Sequence, residues 1–277
     1  MTMIRAACVQ MRSTTAVAEN IAAASALVRQ AAEAGAVFIA TPEMTNLLDI
    51  RPGMARPKIV AQEDDATLVA FRALAVELGV WLLLGSIAVT AEGEDRLANR
   101  SFLIAPDGEI VAHYDKIHMF DVEVGDGQTY RESRSYRPGT STALANTGIG
   151  RVGMTICYDL RFPALYRSLA QAGAQILTVP AAFTRVTGEA HWHVLLRARA
   201  IETGCFVVAP AQGGKHEDGR ETYGHSLIIS PWGEILAEAD GDEPGVIWAD
   251  LDLDEVDKAR ARIPSLDNNQ IFNTGRS

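Results

Sequence analysis

Two periodicities alternate along this 277-residue chain. Short runs that are apolar at nearly every position read as strands covered on both faces, and longer runs with apolar residues three and four apart read as helices. Residues 4–10 form a strand of the first kind. Residues 17–34 form an alanine-rich helix, entered from Ser13-Thr14-Thr15 and closed by Gly35, where a left-handed residue is wanted. Residues 37–40 are the next strand, ended by Thr41-Pro42. A helix starting at Asp64-Asp65 puts Leu68, Phe71, Ala75 and Leu78 at helical spacing and stops at Gly79; residues 80–88 are then apolar at both parities.

Further on, residues 98–105 and 109–116 flank Pro106-Asp107-Gly108 and read as a hairpin. Residues 151–156 form a strand running straight into Cys157, and Pro163 suits the first turn of a helix reaching about residue 172. Strands are expected at 175–180, 205–212, 223–230, 234–239 and 246–251, with a helix over about 188–203. Strands alternating with helices in both halves, with hairpins between, indicate a layered α/β fold with mixed sheets. No proline- or serine-rich linker and no repeat divides the chain, so one domain over 1–277 is expected. The long polar loops 41–58, 117–139 and 212–224 are where function is sought first.

Charge and cysteine usage narrow the partners. Acids outnumber bases 35 to 25, the reverse of what a phosphate backbone attracts, so nucleic acid is not expected. The apolar stretch 78–91 is too short to span a bilayer, and residues 6–11 are too few for a signal-peptide core. Three scattered cysteines suit neither a disulfide framework nor a metal site, and an odd number leaves one thiol free. A cytoplasmic protein with no membrane partner is the expectation.

Cys8 and Cys205 lie in apolar runs and read as small core residues. Cys157 differs. It follows a strand on which it shares a face with Gly153 and Thr155, and it precedes a helix whose positive end would lower its pKa toward thiolate. It is the candidate nucleophile. Six histidines (His113, His118, His191, His193, His216, His225) could supply a base, but none has a marking spacing. His191 and His193 would point to different sides of their helix, so they are not a metal-ligating pair. A carboxylate raised toward neutrality by burial could serve instead. Glu43, just past a strand end, fits that role; its plain alternative is a solvated surface charge. Lys116 ends a strand in a chain with four lysines against 21 arginines, and an ammonium there could hold an oxyanion.

TPEM around Glu43, YDKIHMFD around Lys116 and CYDLRFP around Cys157 together resemble the nitrilase (carbon–nitrogen hydrolase) superfamily, whose signature is a Glu–Lys–Cys triad in this order. The resemblance runs from CVQM in the first strand to GHSLIISPWGE near residue 230. Tyr158 to Pro163, with GEAHWHVLLRARAIETGCFVV downstream, is similar to the amidase branch rather than to nitrilases proper or carbamoylases.

The resemblance implies a four-layer α-β-β-α sandwich, a homodimer, and neither metal nor organic cofactor. It adds Glu132 as a second acid, Lys116 and the Tyr158 backbone N–H as oxyanion donors, and Phe183 and Thr184 as acyl-pocket residues. Arg161 is placed to meet a substrate carboxylate, with a structural ion pair to Asp159 or another acid as its alternative. His191 and Trp192 match a family motif and read as packing. The activity implied is cysteine-dependent hydrolysis of a small linear carboxylate-bearing amide through a thioester, with α-keto acid amides as an alternative substrate class. A Cys–His hydrolase and a non-catalytic scaffold are the rival readings.

Overall fold

The first strand, β1 (Met3–Gln10), sets the layering. Ile4, Ala6 and Cys8 point to one side and Ala7 and Val9 to the other, and all five are buried, so both faces of the strand must be covered. In the computed structural model, which describes residues 3–91, 93–125 and 129–270, that is what surrounds it. Helix α1 (Val17–Glu33), strand β2 (Phe38–Ala40), helix α2 (Ala66–Leu78) and strand β3 (Trp81–Thr90) follow, with β1, β2 and β3 in parallel register. Strands β4 (Leu97–Ile104) and β5 (Ile110–Asp115) add on antiparallel. The Asp65 side chain caps α2 by accepting from Thr67 N and Leu68 N, and Gly79, at φ +66°, closes it.

After a short hairpin, β6 (Asp121–Glu123) with β7 (Thr129–Arg131), a second sheet begins. Its strands are β8 (Ala143–Thr147), β9 (Gly150–Met154), β10 (Ile176–Thr178) and β11 (Phe206–Ala209), interrupted by helices α3 (Pro163–Gln171) and α4 (Arg185–Thr203). Another hairpin, β12 (Gly213–Lys215) with β13 (Glu221–Tyr223), precedes β14 (Leu227–Ile229) and β15 (Ile235–Glu238). The sheet order is β15-β14-β11-β10-β9-β8. Strand β16 (Gly245–Asp252) then returns to the first sheet, pairing antiparallel with all of β1, and helix α5 (Asp254–Arg262) follows it. That return ties the last strand to the first.

The inner faces of the two sheets share one core. Ile4, Ala6, Cys8, Phe38 and Leu83 from the first meet Val152, Ile176, Val208 and Ile228 from the second. The opposite face of the first sheet packs Val9, Ile39, Leu82 and Phe102 against Val28 of α1 and Phe71 of α2. Tyr166 and Leu169 of α3 and Trp192 and Leu196 of α4 cover the second sheet. The four-layer order is therefore helices, sheet, sheet, helices.

Elements absent from the sequence reading have weak signals. β8 reads ALANT and lies at a sheet edge, and α5 buries only Val256, so its polar sequence carries no apolar stripe. The expected strands 205–212 and 223–230 shrink to four and three residues, because the chain between them folds back as the β12–β13 hairpin. Strand 151–156 stops at Met154, which has consequences below. No helix among the described residues is long and apolar enough to cross a membrane.

Candidate active site

β5 runs antiparallel to β4, which runs antiparallel to β3, so β5 points the same way as the parallel strands β2 and β3. Glu43, Lys116 and Cys157 each follow the carboxyl end of a strand, β2, β5 and β9 respectively. That is where open α/β sheets gather their ligands.

Glu43 is held by a loop pressed against β3. Thr41 N donates to Leu83 O at 3.0 Å, Met44 N to Ser86 Oγ at 3.0 Å and Thr45 N to Ser86 O at 2.9 Å. Gly85 makes this approach possible, since an added Cβ there would sit 1.8 Å from Thr41 O. Met44, beside Glu43, is a left-handed residue at φ +55°.

Lys116 continues β5, with its N–H on Asn99 O at 3.0 Å, and its side chain turns to the buried face it shares with Tyr114. Its Nζ donates to Glu43 Oε1 at 2.9 Å and to Glu132 Oε2 and Oε1 at 2.9 and 3.1 Å. Asn99 Nδ2 also bridges the acids, 2.9 Å from Glu43 Oε1 and 3.3 Å from Glu132 Oε1. Ala182 N donates to Glu43 Oε2 and Phe120 N to Glu132 Oε2, at 2.9 and 2.7 Å.

Cys157 opens a 3₁₀ turn over Cys157–Arg161 at φ +49°, another left-handed non-glycine beside the site. Such strain persists only where the surroundings hold it. Here Cys157 N donates to Pro180 O at 2.9 Å, and the buried Asp159 carboxylate accepts from Ile156 N, Tyr114 Oη and His118 N at 2.9, 2.7 and 3.1 Å. The Cys157 thiol lies near enough to the Glu43 carboxylate for each to shift the other's titration. Glu43, Lys116, Glu132 and Cys157, with Tyr158, Phe183 and Thr184, line one cleft of about 630 Å³.

The chain matches the carbon–nitrogen hydrolase family over residues 5–261. It belongs to that family. A deaminated glutathione amidase of Synechocystis is 42% identical over 270 residues, covering 94% of this chain and 96% of the relative. The Caenorhabditis elegans NitFhit protein superposes with a TM-score of 0.87 at 34% identity, over 95% of this chain and 64% of that longer one. A Nesterenkonia amidase, captured with acrylamide added at its active-site cysteine, superposes with a TM-score of 0.78 at 26% identity, over 94% of this chain and 98% of that one.

The protonation balance of this carbon–nitrogen hydrolase differs from the sequence expectation. Burial pushes the Glu43 carboxyl up, but Lys116, the neighbouring Cys157 thiol and the hydrogen bond from Asn99 outweigh it and hold the group below its ordinary range. Burial raises the Cys157 thiol well above its ordinary value, the Glu43 charge raises it further, and Lys116 only partly opposes them. Burial acts against the charged form of Lys116, yet Glu132 and Glu43 hold its pKa well above the usual lysine value. The resting site is thiol, carboxylate and ammonium. The positive end of a helix does not lower the thiol here, because α3 starts six residues later, beyond the 3₁₀ turn. The strand-face argument for Cys157 fails for the same reason: β9 has already ended.

Arg161 is absent from the cleft lining. Its guanidinium meets His191 Nδ1 at 3.3 Å and packs over the rings of Phe183 and Tyr158, at 5.3 and 5.9 Å. Its alternative pairing with Asp159 is also not formed, since Asp159 is occupied by Tyr114, His118 and Ile156. Thr184 lines the cleft and caps α4 through its side chain, while Phe183 packs on Trp192 at 5.0 Å. Among the described residues no histidine lines the cleft, so the Cys–His reading finds no base there.

Sequence reasoning missed Asn99 and Arg220, both polar residues whose neighbours gave no signal. It also missed a group away from the cleft that could present three ligand atoms to a cation. His193 Nε2 and His225 Nδ1 each lie 2.9 Å from Glu238 Oε1. His191 and His193 do face different partners.

Proposed function

We propose that this carbon–nitrogen hydrolase cleaves a small linear, carboxylate-bearing amide through a thioester on Cys157. The observation that carries the reading is Lys116 clamped between two carboxylates that line one open cleft with the thiol of Cys157. Because the thiol is raised and the acid lowered, no thiolate is stored in advance. Glu43 takes the Sγ proton as sulfur attacks the carbonyl carbon, and the carbonyl π pair moves onto oxygen. Lys116 Nζ and the Tyr158 N–H, which lies in the first turn of the 3₁₀ segment where donors lack a local acceptor, receive the oxyanion.

Collapse of the adduct breaks the C–N bond while Glu43 passes its proton to nitrogen, so ammonia or an amine leaves and the thioester remains. Glu43 then takes a proton from water, hydroxide oxygen attacks the thioester, the C–S bond breaks, and the proton returns to sulfur with release of the acid. Glu132 keeps Lys116 oriented throughout. Every step uses side chains described above. The reading includes a single domain working as a homodimer, which sedimentation tests.

The name of the Synechocystis relative makes deaminated glutathione the first substrate to assay, beside α-ketoglutaramate, α-ketosuccinamate and glutamine. Ammonia or amine release by wild type, Cys157→Ala and Glu43→Gln is the test. Loss of the base alone is expected to cost about 10²–10⁴-fold in kcat. Equal turnover by all three proteins would refute the mechanism. Absence of turnover on every amide would favour a non-catalytic scaffold.

A further inference from the structure

Resting on the amide reading, we propose that Arg220 is the carboxylate-binding subsite of this cleft, receiving an acid group at the end of the substrate remote from the scissile amide. Arg220 sits in the turn between β12 and β13. Its backbone is fixed there: His216 N donates to Arg220 O at 2.8 Å, and Arg220 N donates to Asp218 Oδ1 at 2.9 Å. From that anchored position its side chain lines the same cleft as Glu43, Lys116 and Cys157.

Two further observations point to a ligand. Arg220 Nε is buried and has no hydrogen-bond partner, an arrangement that is unfavourable unless an acceptor arrives. The guanidinium also has no ion-pair partner among the described residues. Other arginines of the cleft differ on this point. Arg51, Arg96 and Arg131 are paired with Asp49, Glu94 and Glu123. Arg56 and Arg134 are exposed, so water satisfies them. Arg220 alone in this set combines a buried, unmet donor with access to the reacting sulfur's cleft.

The charge of the site gives the pairing a purpose. Glu43 and Glu132 outweigh Lys116, so the catalytic wall carries a net negative charge that repels an anionic substrate. A guanidinium offers a carboxylate two parallel N–H bonds and cancels that surplus. Arg161, the residue expected from sequence for this task, is turned to His191 outside the lining.

The test compares kcat/KM for an ω-amide bearing a distal carboxylate with kcat/KM for its methyl ester, in wild type, Arg220→Gln and Arg220→Lys. Wild type should prefer the acid. The preference should fall about 10- to 100-fold in Arg220→Gln, chiefly through KM, and recover in part in Arg220→Lys. Taking the ratio of the two substrates cancels any general loss from misfolding. An unchanged ratio in Arg220→Gln, or a wild-type enzyme indifferent to the carboxylate, overturns the proposal. If wild type hydrolyses no amide at all, the amide reading fails separately. Calorimetric binding of glutarate then decides: weaker binding to Arg220→Gln supports the subsite, and equal binding, or none to wild type, overturns it.

Discussion

Asp115 and Lys116 are consecutive in the chain and opposite in chemistry. Asp115 is one acid between two bases, accepting from Arg100 and Arg137. Lys116 is one base between two acids, donating to Glu43 and Glu132. Successive side chains at a strand end point to opposite faces, so a single step along the chain separates the clusters. Arg100 also reaches Gln62 Oε1 at 2.7 Å, and the outer side chains keep 13% to 23% exposure against 2% to 13% for the inner ones. Water can shield the outer cluster when charge shifts; it cannot reach the inner one so easily. What sets the inner cluster apart is its company: a thiol beside one acid and a cleft open to a substrate. On the proposed mechanism, that transferable proton is what would make one ion-pair network catalytic and the other structural.

Lys116→Met is the strongest way to break the comparison. It leaves the buried Glu43 carboxylate facing the half-buried one of Glu132 with no cation between them, so amide hydrolysis should fall to background and chemical denaturation should show a loss of about 3–5 kcal/mol. A stable, active Lys116→Met protein would place the two clusters in the same class. Asp115→Asn is the matched change outside. It should cost about 1–3 kcal/mol of stability while kcat/KM stays within about threefold of wild type. A thousandfold loss of kcat/KM would show that the outer cluster also serves the reaction.

The smallest effect is in the acid limb of stability. Glu43 and Asp115 both titrate below their ordinary range in the folded state, each because its cationic and hydrogen-bonding partners outweigh burial. Each therefore contributes stability that is fully present above the unfolded carboxylate pKa of about 4 and is lost as pH falls through the folded value, at no more than about 1.4 kcal/mol per pH unit per group. Glu43→Gln and Asp115→Asn should each flatten the fall of the denaturation midpoint below about pH 4. An unchanged acid limb in either variant would show that its carboxyl is not held down as described.

Much of this was legible along the chain. Capping residues and apolar spacing located α2 between Asp65 and Gly79, and the all-apolar runs of β1 and β3 located the covered sheet. Glu43, Lys116 and Cys157 stood out because each ends a strand within a matching motif. Asn99 did not, because an asparagine inside LANRSF reads as one solvent-facing strand position. Only pairing with residues 56 and 33 positions away makes it the bridge between the acids. Arg220 lay in a polar loop where every charge looked alike. Arg161 had the right spacing from Cys157, and the expected helix does begin at Pro163, but Arg161 ends the intervening 3₁₀ turn and its guanidinium meets His191 outside the cleft lining.

The sequence by itself determined the layered α/β class, the order of its main elements and the family, because periodicity, caps and motifs are encoded within a few residues of one another. Only the tertiary structure decided that the Cys157 thiol is raised rather than lowered, and that Arg220 lines the cleft while Arg161 does not. Both depend on burial and on charges from strands remote in sequence, and that field exists only once the sheets have packed together.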